Sequence, residues 1–178
     1  MENKRNDYFN DPAISRGYLL NFKTSPRTGE VLSKEKKDTS AMTFGRAFHS
    51  YMEGGDIFFS EFFVMPSDAE ICEEIGGKVP RNTSLYKAWK LDQEEAANSR
   101  EVISEEDFKM IETMAQNVFK SEFYSKIFEQ SKYNIETEKA VFAEIEGKKY
   151  KCLCDVYIDR GDDILVIDWK STRMKLTA

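Results

Sequence analysis

The spacing of hydrophobic residues changes along the chain, and the change separates a helical part from a later strand part. Before about residue 130, apolar residues recur every three or four positions, which is the period of an amphipathic helix. From Ile135 onward, runs of alternating apolar and polar residues are typical of strands. The pattern therefore predicts a protein of the α/β (α+β) class whose main sheet is formed late in the chain.

Start and stop signals place the helices. Asp11 followed by Pro12 predicts the N-cap and first position of a helix. Ser104, with Asp107 three residues later, resembles a capping box in which Asp replaces Glu. Helices are predicted at 11–22, 43–53, 84–98, 104–119 and 122–130. Of the remaining segments, 27–37 is predicted to be a basic loop and 57–65 a short strand or buried segment.

Three strands are predicted after residue 134. The first runs from Ile135 to Ile145, and Glu146-Gly147-Lys148-Lys149 forms a tight turn into the second, which carries Asp155. The turn Asp159-Arg160-Gly161-Asp162 leads into the third, which carries Asp168-Trp169-Lys170. These turns bring the polar residues of neighbouring strands side by side.

Asp168 and Lys170 are two residues apart on a predicted strand, so their side chains share a face, while Trp169 points the other way. Asp155 lies on the strand alongside. Two carboxylates hold a hard cation such as Mg²⁺, and a nearby lysine can orient and help to deprotonate a water. The residues point to phosphodiester hydrolysis. The alternative is a hydrophobic strand whose Asp and Lys simply emerge into solvent.

The chain contains its own control for this motif, because Asp107-Phe108-Lys109 is a second Asp-x-Lys. This copy lies in a predicted helix, where residues two apart point to different sides. It is therefore not expected to form a joint site. The prediction for the later copy depends on its strand context and not on the motif alone.

Two further positions are candidates for the same site. Glu136 and Glu138 share a face of the first strand, and either can add a third carboxylate, although an exposed strand face bearing Glu is the alternative. His49, the single histidine, lies at the margin of an apolar helical stripe and shares a face with Gly45. A glycine there lets a ligand or another backbone come close, but a lone histidine is also common as a structural residue.

Composition and charge limit the classes of protein. The 178 residues suit one domain, and 40% hydrophobic residues are enough for a real core. The net charge of −6 argues against a simple DNA-binding module more than against an enzyme with acidic metal ligands. The amino terminus is polar and contains no apolar h-region, and no apolar run is long enough to span a membrane, so we expect a cytoplasmic protein that does not bind a membrane. Its three cysteines, Cys72, Cys152 and Cys154, favour buried thiols over a four-ligand metal site.

Taken in order, these segments resemble the PD-(D/E)xK nucleases, and most closely the RecE-like phage exonuclease branch. The resemblance covers nearly the whole chain from about Asp11. Three segments carry it: Phe44-Gly45-Arg46-Ala47-Phe48-His49, like that branch's Phe-Gly-x-Ala-x-His helix; Val102 to Asp107, like its linker helix start; and Lys151 to Thr172, like its catalytic hairpin.

The resemblance implies a restriction-endonuclease-like fold, a mixed central β-sheet flanked by helices. It implies that His49, Asp155 and Asp168 bind Mg²⁺ or Mn²⁺, assisted by the Trp169 carbonyl, and that Lys170 acts on the attacking water. Glu138 matches the acidic position on the preceding strand. The implied reaction is exonucleolytic hydrolysis from double-stranded DNA ends for phage recombination, which leaves a 3′ strand for a single-strand annealing protein in a bacterial or phage-infected cell.

Residues for DNA contact are less well marked. Arg46 and Lys151 are the candidates beside the predicted site, since each lies within a segment that resembles the family. The basic loop adds four more positive charges that suit a phosphate backbone, although a solvated loop is the commoner case: Arg27, Lys34, Lys36 and Lys37.

One departure from the family is visible. A further helix with a Gln-x-x-x-Tyr pattern follows the Asp-x-Lys strand in that branch, whereas only eight residues follow Lys170 here. We therefore expect residues 1–178 to form a single domain that is truncated at its C-terminus. The expected consequences are self-association through the last strand or a loosely ordered end from Ser171 onward. The rival hypothesis is a weakly active or inactive nuclease fold that serves as a binding or inhibitor module.

Overall fold

The structure is a computed structural model that describes residues 8–23, 25–34, 39–129 and 132–171, without the side chains of residues 32–34, 75 and 129. It is mixed α/β with a mixed sheet and helices, which confirms the predicted fold class. The chain groups into two compact units. Unit 1 comprises Met1–Asp38 and Lys126–Ala178, and unit 2 comprises Thr39–Ser125. That the chain folds as a single truncated domain stays a prediction.

The elements of the described residues, in chain order, are as follows. The helices are α1 (Arg16–Asn21), α2 (Pro26–Lys34), α3 (Ser40–Glu53), α4 (Gly55–Glu61), α5 (Asp68–Ile75), α6 (Ser84–Ala97), α7 (Glu105–Phe119) and α8 (Glu122–Tyr124), which continues as a π-helical turn at Ser125–Glu129. The strands are β1 (Ile14–Ser15), β2 (Phe62–Met65), β3 (Glu101–Ser104), β4 (Ile135–Ile145), β5 (Lys148–Asp159) and β6 (Ile164–Ile167).

The sheet of unit 1 is built around β5. Strand β4 pairs with it in an antiparallel hairpin, from Ile135 opposite Ile158 to Ile145 opposite Lys148. The hairpin turn is Glu146-Gly147, and both residues have positive φ, 51° and 73°. That conformation is typical of a two-residue type I′ turn, whose twist matches the strands. On the other edge of β5, β6 pairs antiparallel near its end and the short β1 pairs parallel near its start.

The two faces of β5 differ in burial. Cys154, Val156 and Ile158 alternate along one face and are nearly inaccessible, so they form the core of this sheet. Cys152 lies on the same face but is exposed, so the expectation that both strand thiols are buried holds only for Cys154. Burial, and next the neighbouring Cys152, raises the pKa of the Cys154 thiol to about 11. The opposite face carries Asp155 and is only half-buried.

Unit 2 contains a parallel pair, in which β2 lies beside β3 from Phe62 opposite Glu101 to Met65 opposite Ser104. Helices α5 and α6 form the crossover between them, as a parallel connection requires. The core of this unit is apolar and includes Phe58, Ile71 and Ile111, all fully buried. Side-chain caps start several of its helices, as predicted for Ser104, whose hydroxyl accepts from the Asp107 N–H at 3.0 Å.

Several predicted boundaries were wrong near the amino terminus. Helix α1 starts after Ser15, which is its N-cap, because Ile14 and Ser15 instead pair with β5. Asp11 accepts a hydrogen bond from the Ala13 N–H at 2.7 Å, which closes a local turn rather than a helix.

Two other segments also differ from the prediction. The predicted basic loop is helical through Lys34, so Arg27 lies on α2, whereas Lys36 and Lys37 fall outside the described residues. The 57–65 segment splits into the end of α4 and strand β2, and β3 was not predicted at all.

The structure describes only part of the carboxy-terminal segment for which predictions were made. Leu165, Ile167 and Trp169 are each half-buried, so the face that was expected to be uncovered is partly covered. Residues 172–178 lie outside the described part, and self-association stays a prediction. Among the described residues, no helix has both the length and the apolar character needed to cross a membrane.

Candidate active site

Two carboxylates face each other across the β4–β5 hairpin. The register is the same on either side of Glu138, with Thr137 opposite Val156 and Lys139 opposite Cys154, so Glu138 falls at the level of Asp155 on the neighbouring strand. A carboxylate oxygen of Glu138 lies within 4.8 Å of one from Asp155. Glu138 has a φ of 49°, a value that is uncommon for residues other than glycine and that often marks functional positions. The hairpin thus places two acidic side chains at one point of the sheet.

The neighbouring acidic residue is engaged elsewhere. Both oxygens of Glu136 accept hydrogen bonds from the Lys139 ammonium, at 2.9 and 2.8 Å. Glu136 also lies opposite Tyr157, which is two residues beyond Asp155 on the same face of β5. Of the two glutamates between which the sequence did not decide, Glu138 is therefore the one beside Asp155.

The Asp168-Trp169-Lys170 segment follows β6 directly and returns to the same carboxylate. The Trp169 backbone N–H donates to Asp155 Oδ2 at 2.6 Å. On the other side of the segment, the Trp169 ring stacks on Phe128 with centroids 6.2 Å apart. The segment is therefore held from both sides, by a charge-assisted hydrogen bond and by an aromatic contact.

Lys170 and Asp168 are in contact, although both follow the end of β6 at Ile167 and do not lie on a strand as predicted. The Lys170 ammonium donates to Asp168 Oδ1 at 2.6 Å, and both side chains are mainly exposed. An exposed ion pair of this kind contributes little to stability. Its significance lies in the position of an ammonium and a carboxylate immediately beside the residue that binds Asp155.

Two other predicted residues, His49 and Arg46, have contacts within unit 2. His49 is half-buried on α3 in unit 2, with its ring edge-on to Phe48 at 6.3 Å. Its role as a metal ligand, like that of the Trp169 carbonyl, stays a prediction. Arg46 forms an ion pair with Glu101 at 2.5 Å.

Lys151 is engaged within unit 1. Its ammonium donates to the carbonyls of Tyr8 and Asp11, at 2.6 and 2.8 Å, and lies 4.6 Å from the centre of the Tyr8 ring. These contacts hold the amino-terminal segment against the start of β5. The predicted DNA contact by Lys151 therefore has a structural alternative that the sequence did not suggest.

One contact of the site was missed from the sequence, namely the hydrogen bond from Trp169 to Asp155. Every residue except proline has a backbone N–H, so no sequence signal marks this donor. The bond depends on where the chain turns after β6. The oxygen donors at the site are carboxylates, which are the ligands that Mg²⁺ and Mn²⁺ prefer. The residues present in unit 1 thus suit a hard divalent cation.

Comparison with known protein families gives an independent result. A model of the family described as a PDDEXK-like domain of unknown function (DUF3799) matches residues 21–177. The match includes the three acidic residues of the candidate site, Glu138, Asp155 and Asp168. Searches of curated proteins and of solved structures found no match.

Proposed function

Because the chain belongs to the family of PDDEXK-like domains, whose fold is of the nuclease type, we propose that it is a metal-dependent deoxyribonuclease. The observation that carries the proposal is the 2.6 Å hydrogen bond from the Trp169 N–H to Asp155 Oδ2. It joins the Asp-x-Lys segment to the hairpin that presents Glu138 and Asp155. Three carboxylates and one lysine, on the β4–β5 hairpin and on the segment that follows β6, are a suitable set for phosphodiester hydrolysis.

Each residue has a proposed role. Asp155 and Asp168, supported by Glu138, would hold Mg²⁺ or Mn²⁺, which would stabilise charge on the phosphate oxygens and favour ionisation of water. Lys170 hydrogen-bonds and orients the attacking water, and Asp168 keeps its ammonium in place. His49 is proposed as an additional ligand.

We further propose RecE-like exonuclease activity, in which the substrate is the end of double-stranded DNA and the product is a 3′ single strand for an annealing partner. The segment from Phe44 to His49 and the hairpin from Lys151 to Thr172 support this finer assignment by their resemblance to that branch. Mg²⁺ or Mn²⁺ is the proposed cofactor.

The test compares substrates and variants in one assay. The purified protein is incubated with end-labelled linear duplex DNA or covalently closed circular DNA, with Mg²⁺, with Mn²⁺ or with a chelator. We expect the linear DNA to be degraded, the circle to persist and the chelator to stop the reaction. Cleavage of the circle would contradict the exonuclease assignment. Absence of hydrolysis on either DNA with both metals would contradict the nuclease proposal and favour a binding or inhibitor module.

A matched pair of variants assigns the activity to the cluster. Asp155→Asn removes a charge at the proposed metal site while its shape is kept. Asp159→Asn removes a charge from the same face of the same strand, four residues further along, where Asp159 accepts from the Gly161 N–H in the turn. We expect the first variant to be inactive and the second to match the wild-type protein.

A further inference from the structure

The sheet face that carries Asp155 extends along the hairpin toward its tip. Alternation along β5 places Lys149, Lys151 and Asp155 on this face, and the register places Phe142 directly opposite Lys151. Phe142 is 50% exposed, which is unusual for an aromatic side chain on a sheet face. Phe142 lies four positions along β4 from Glu138, or about 13 Å away at the usual rise. An exposed aromatic ring therefore lies beyond the acidic cluster on its own face.

A groove borders this ring. Its volume is about 310 Å³, and it is lined by Asp11, Phe142, Ala143, Glu144 and Lys149. Lys151 lies opposite Phe142 and donates to the Asp11 carbonyl at 2.8 Å, so it holds one wall of the groove in place. The groove thus combines an aromatic surface, a lysine and two carboxylates within unit 1.

These groups suit one chemical class of ligand. Bases of a single strand stack on exposed aromatic rings, and a lysine beside the ring contacts the phosphate. Carboxylates repel phosphates but accept hydrogen bonds from base amino groups. We propose that the groove is a nucleotide subsite in which Phe142 stacks on an unpaired base and Lys149 contacts its phosphate. The proposal rests on the nuclease function proposed above, and it specifies where a separated strand passes along the sheet.

The spacing agrees with such a path. B-form DNA advances about 3.4 Å per nucleotide along each strand, and an unstacked strand advances further, so about 13 Å corresponds to at most roughly four nucleotides. A strand whose scissile phosphate lies at Asp155 and Asp168 would then place a base at Phe142 a few nucleotides away. The occupant is therefore a DNA strand already bound at the active site and not a separate partner.

The hairpin provides a matched control for each residue, because it carries a similar pair on its opposite face. Ile145 is 57% exposed and lies opposite Lys148, on the face that does not carry Asp155. Ile145→Ala is thus the control for Phe142→Ala, and Lys148→Ala is the control for Lys149→Ala. The two members of each pair differ chiefly in the face of the sheet to which they belong.

The experiment measures binding of a fluorescent single-stranded oligonucleotide by anisotropy, in a chelating buffer where no cleavage occurs. We expect Phe142→Ala to weaken binding by roughly 5- to 150-fold, as for loss of one stacked base, and Phe142→Tyr to bind as the wild-type protein does. Lys149→Ala should reduce the slope of log affinity against log salt by about 0.7. Ile145→Ala and Lys148→Ala should leave affinity and slope unchanged.

The outcomes separate this proposal from the nuclease proposal. Equal affinities for Phe142→Ala and Ile145→Ala would overturn the subsite, even if the protein degrades DNA. Loss of binding in Phe142→Ala alone would support the subsite, even if no hydrolysis is seen. Circular dichroism melting of each variant identifies any that fail to fold, and Lys149→Ala then decides the matter through the salt slope, since an unchanged slope would count against the proposal.

Discussion

The two Asp-x-Lys segments of this chain have the same residue types at the same spacing but different surroundings. In unit 1, Lys170 donates to Asp168, and the intervening Trp169 donates its N–H to Asp155. In unit 2, the corresponding lysine, Lys109, forms an ion pair with Glu105 one turn earlier on α7. The backbone N–H of Asp107 is bound by the Ser104 cap. The same motif therefore forms part of an acidic cluster in one place and part of a helix start in the other.

The difference follows from backbone geometry. Extended residues two apart lie on one face, whereas helical residues pair at spacings of three and four. A short motif thus indicates a joint site only when the local structure is extended. The most direct way to examine this contrast is to change each copy in the same manner.

The largest effect is expected for the lysines. Lys170→Ala should lower DNA hydrolysis by about 10²-fold, because a group that acts on the nucleophile is lost, while metal affinity is nearly retained. Lys109→Ala should hydrolyse DNA at the wild-type rate. Initial rates on end-labelled duplex DNA measure both. Equal rates for the two variants would mean that the Asp-x-Lys of unit 1 is not the catalytic copy.

Replacing the aspartates of the two segments, Asp168 and Asp107, should likewise have different effects on metal affinity. Asp168→Ala should weaken Mn²⁺ binding by about tenfold or more, because one carboxylate of the proposed ligand set is removed. Asp107→Ala should give the heats of the wild-type protein in titration calorimetry. If Asp168→Ala also gave wild-type heats, Asp168 would not be a ligand. His49→Ala, titrated alongside, tests the remaining predicted ligand.

A third prediction concerns the helical copy alone. Ser104→Ala should lower the free energy of unfolding by about 1 kcal/mol, because the Asp107 N–H loses its cap. Urea denaturation followed by circular dichroism measures the change. The remaining folded protein should retain the wild-type rate of DNA hydrolysis, and a large loss of activity without loss of stability would assign this copy a functional role.

The smallest effect is expected from thiol chemistry on the strand that carries Asp155. Burial raises the pKa of Cys154 to about 11, so its thiol stays protonated at pH 8, and only the thiolate is a strong nucleophile. Exposed Cys152 should be alkylated first, with little effect on activity, and Cys154 should react only as the pH approaches 11. Peptide mass spectrometry after timed alkylation shows the order. Faster labelling of Cys154 at pH 8 would contradict the burial seen here.

The sequence predicted the hairpin better than the amino-terminal segment. The ends of β4 matched the prediction, because alternation over eleven residues and an intervening Gly147 turn are local signals. The helix predicted at Asp11-Pro12 failed for a nonlocal reason. Ile14 and Ser15 pair with residues about 136 positions later, and that pairing delays the helix. Helix-cap and proline signals are local, so they give no information about a distant strand partner.

The sequence by itself determined the residue types of the site, the strand that carries Asp155 and the shared direction of Asp168 and Lys170. These features depend on the spacing of residues that are close together in the chain and on turns formed by adjacent residues. Only the tertiary structure decided that Glu138, and not Glu136, lies beside Asp155, and that the Trp169 N–H reaches this carboxylate. It also decided that Lys151 holds the amino-terminal segment. Such contacts join residues far apart in the chain, and their partners are set by strand register and chain path rather than by any local pattern.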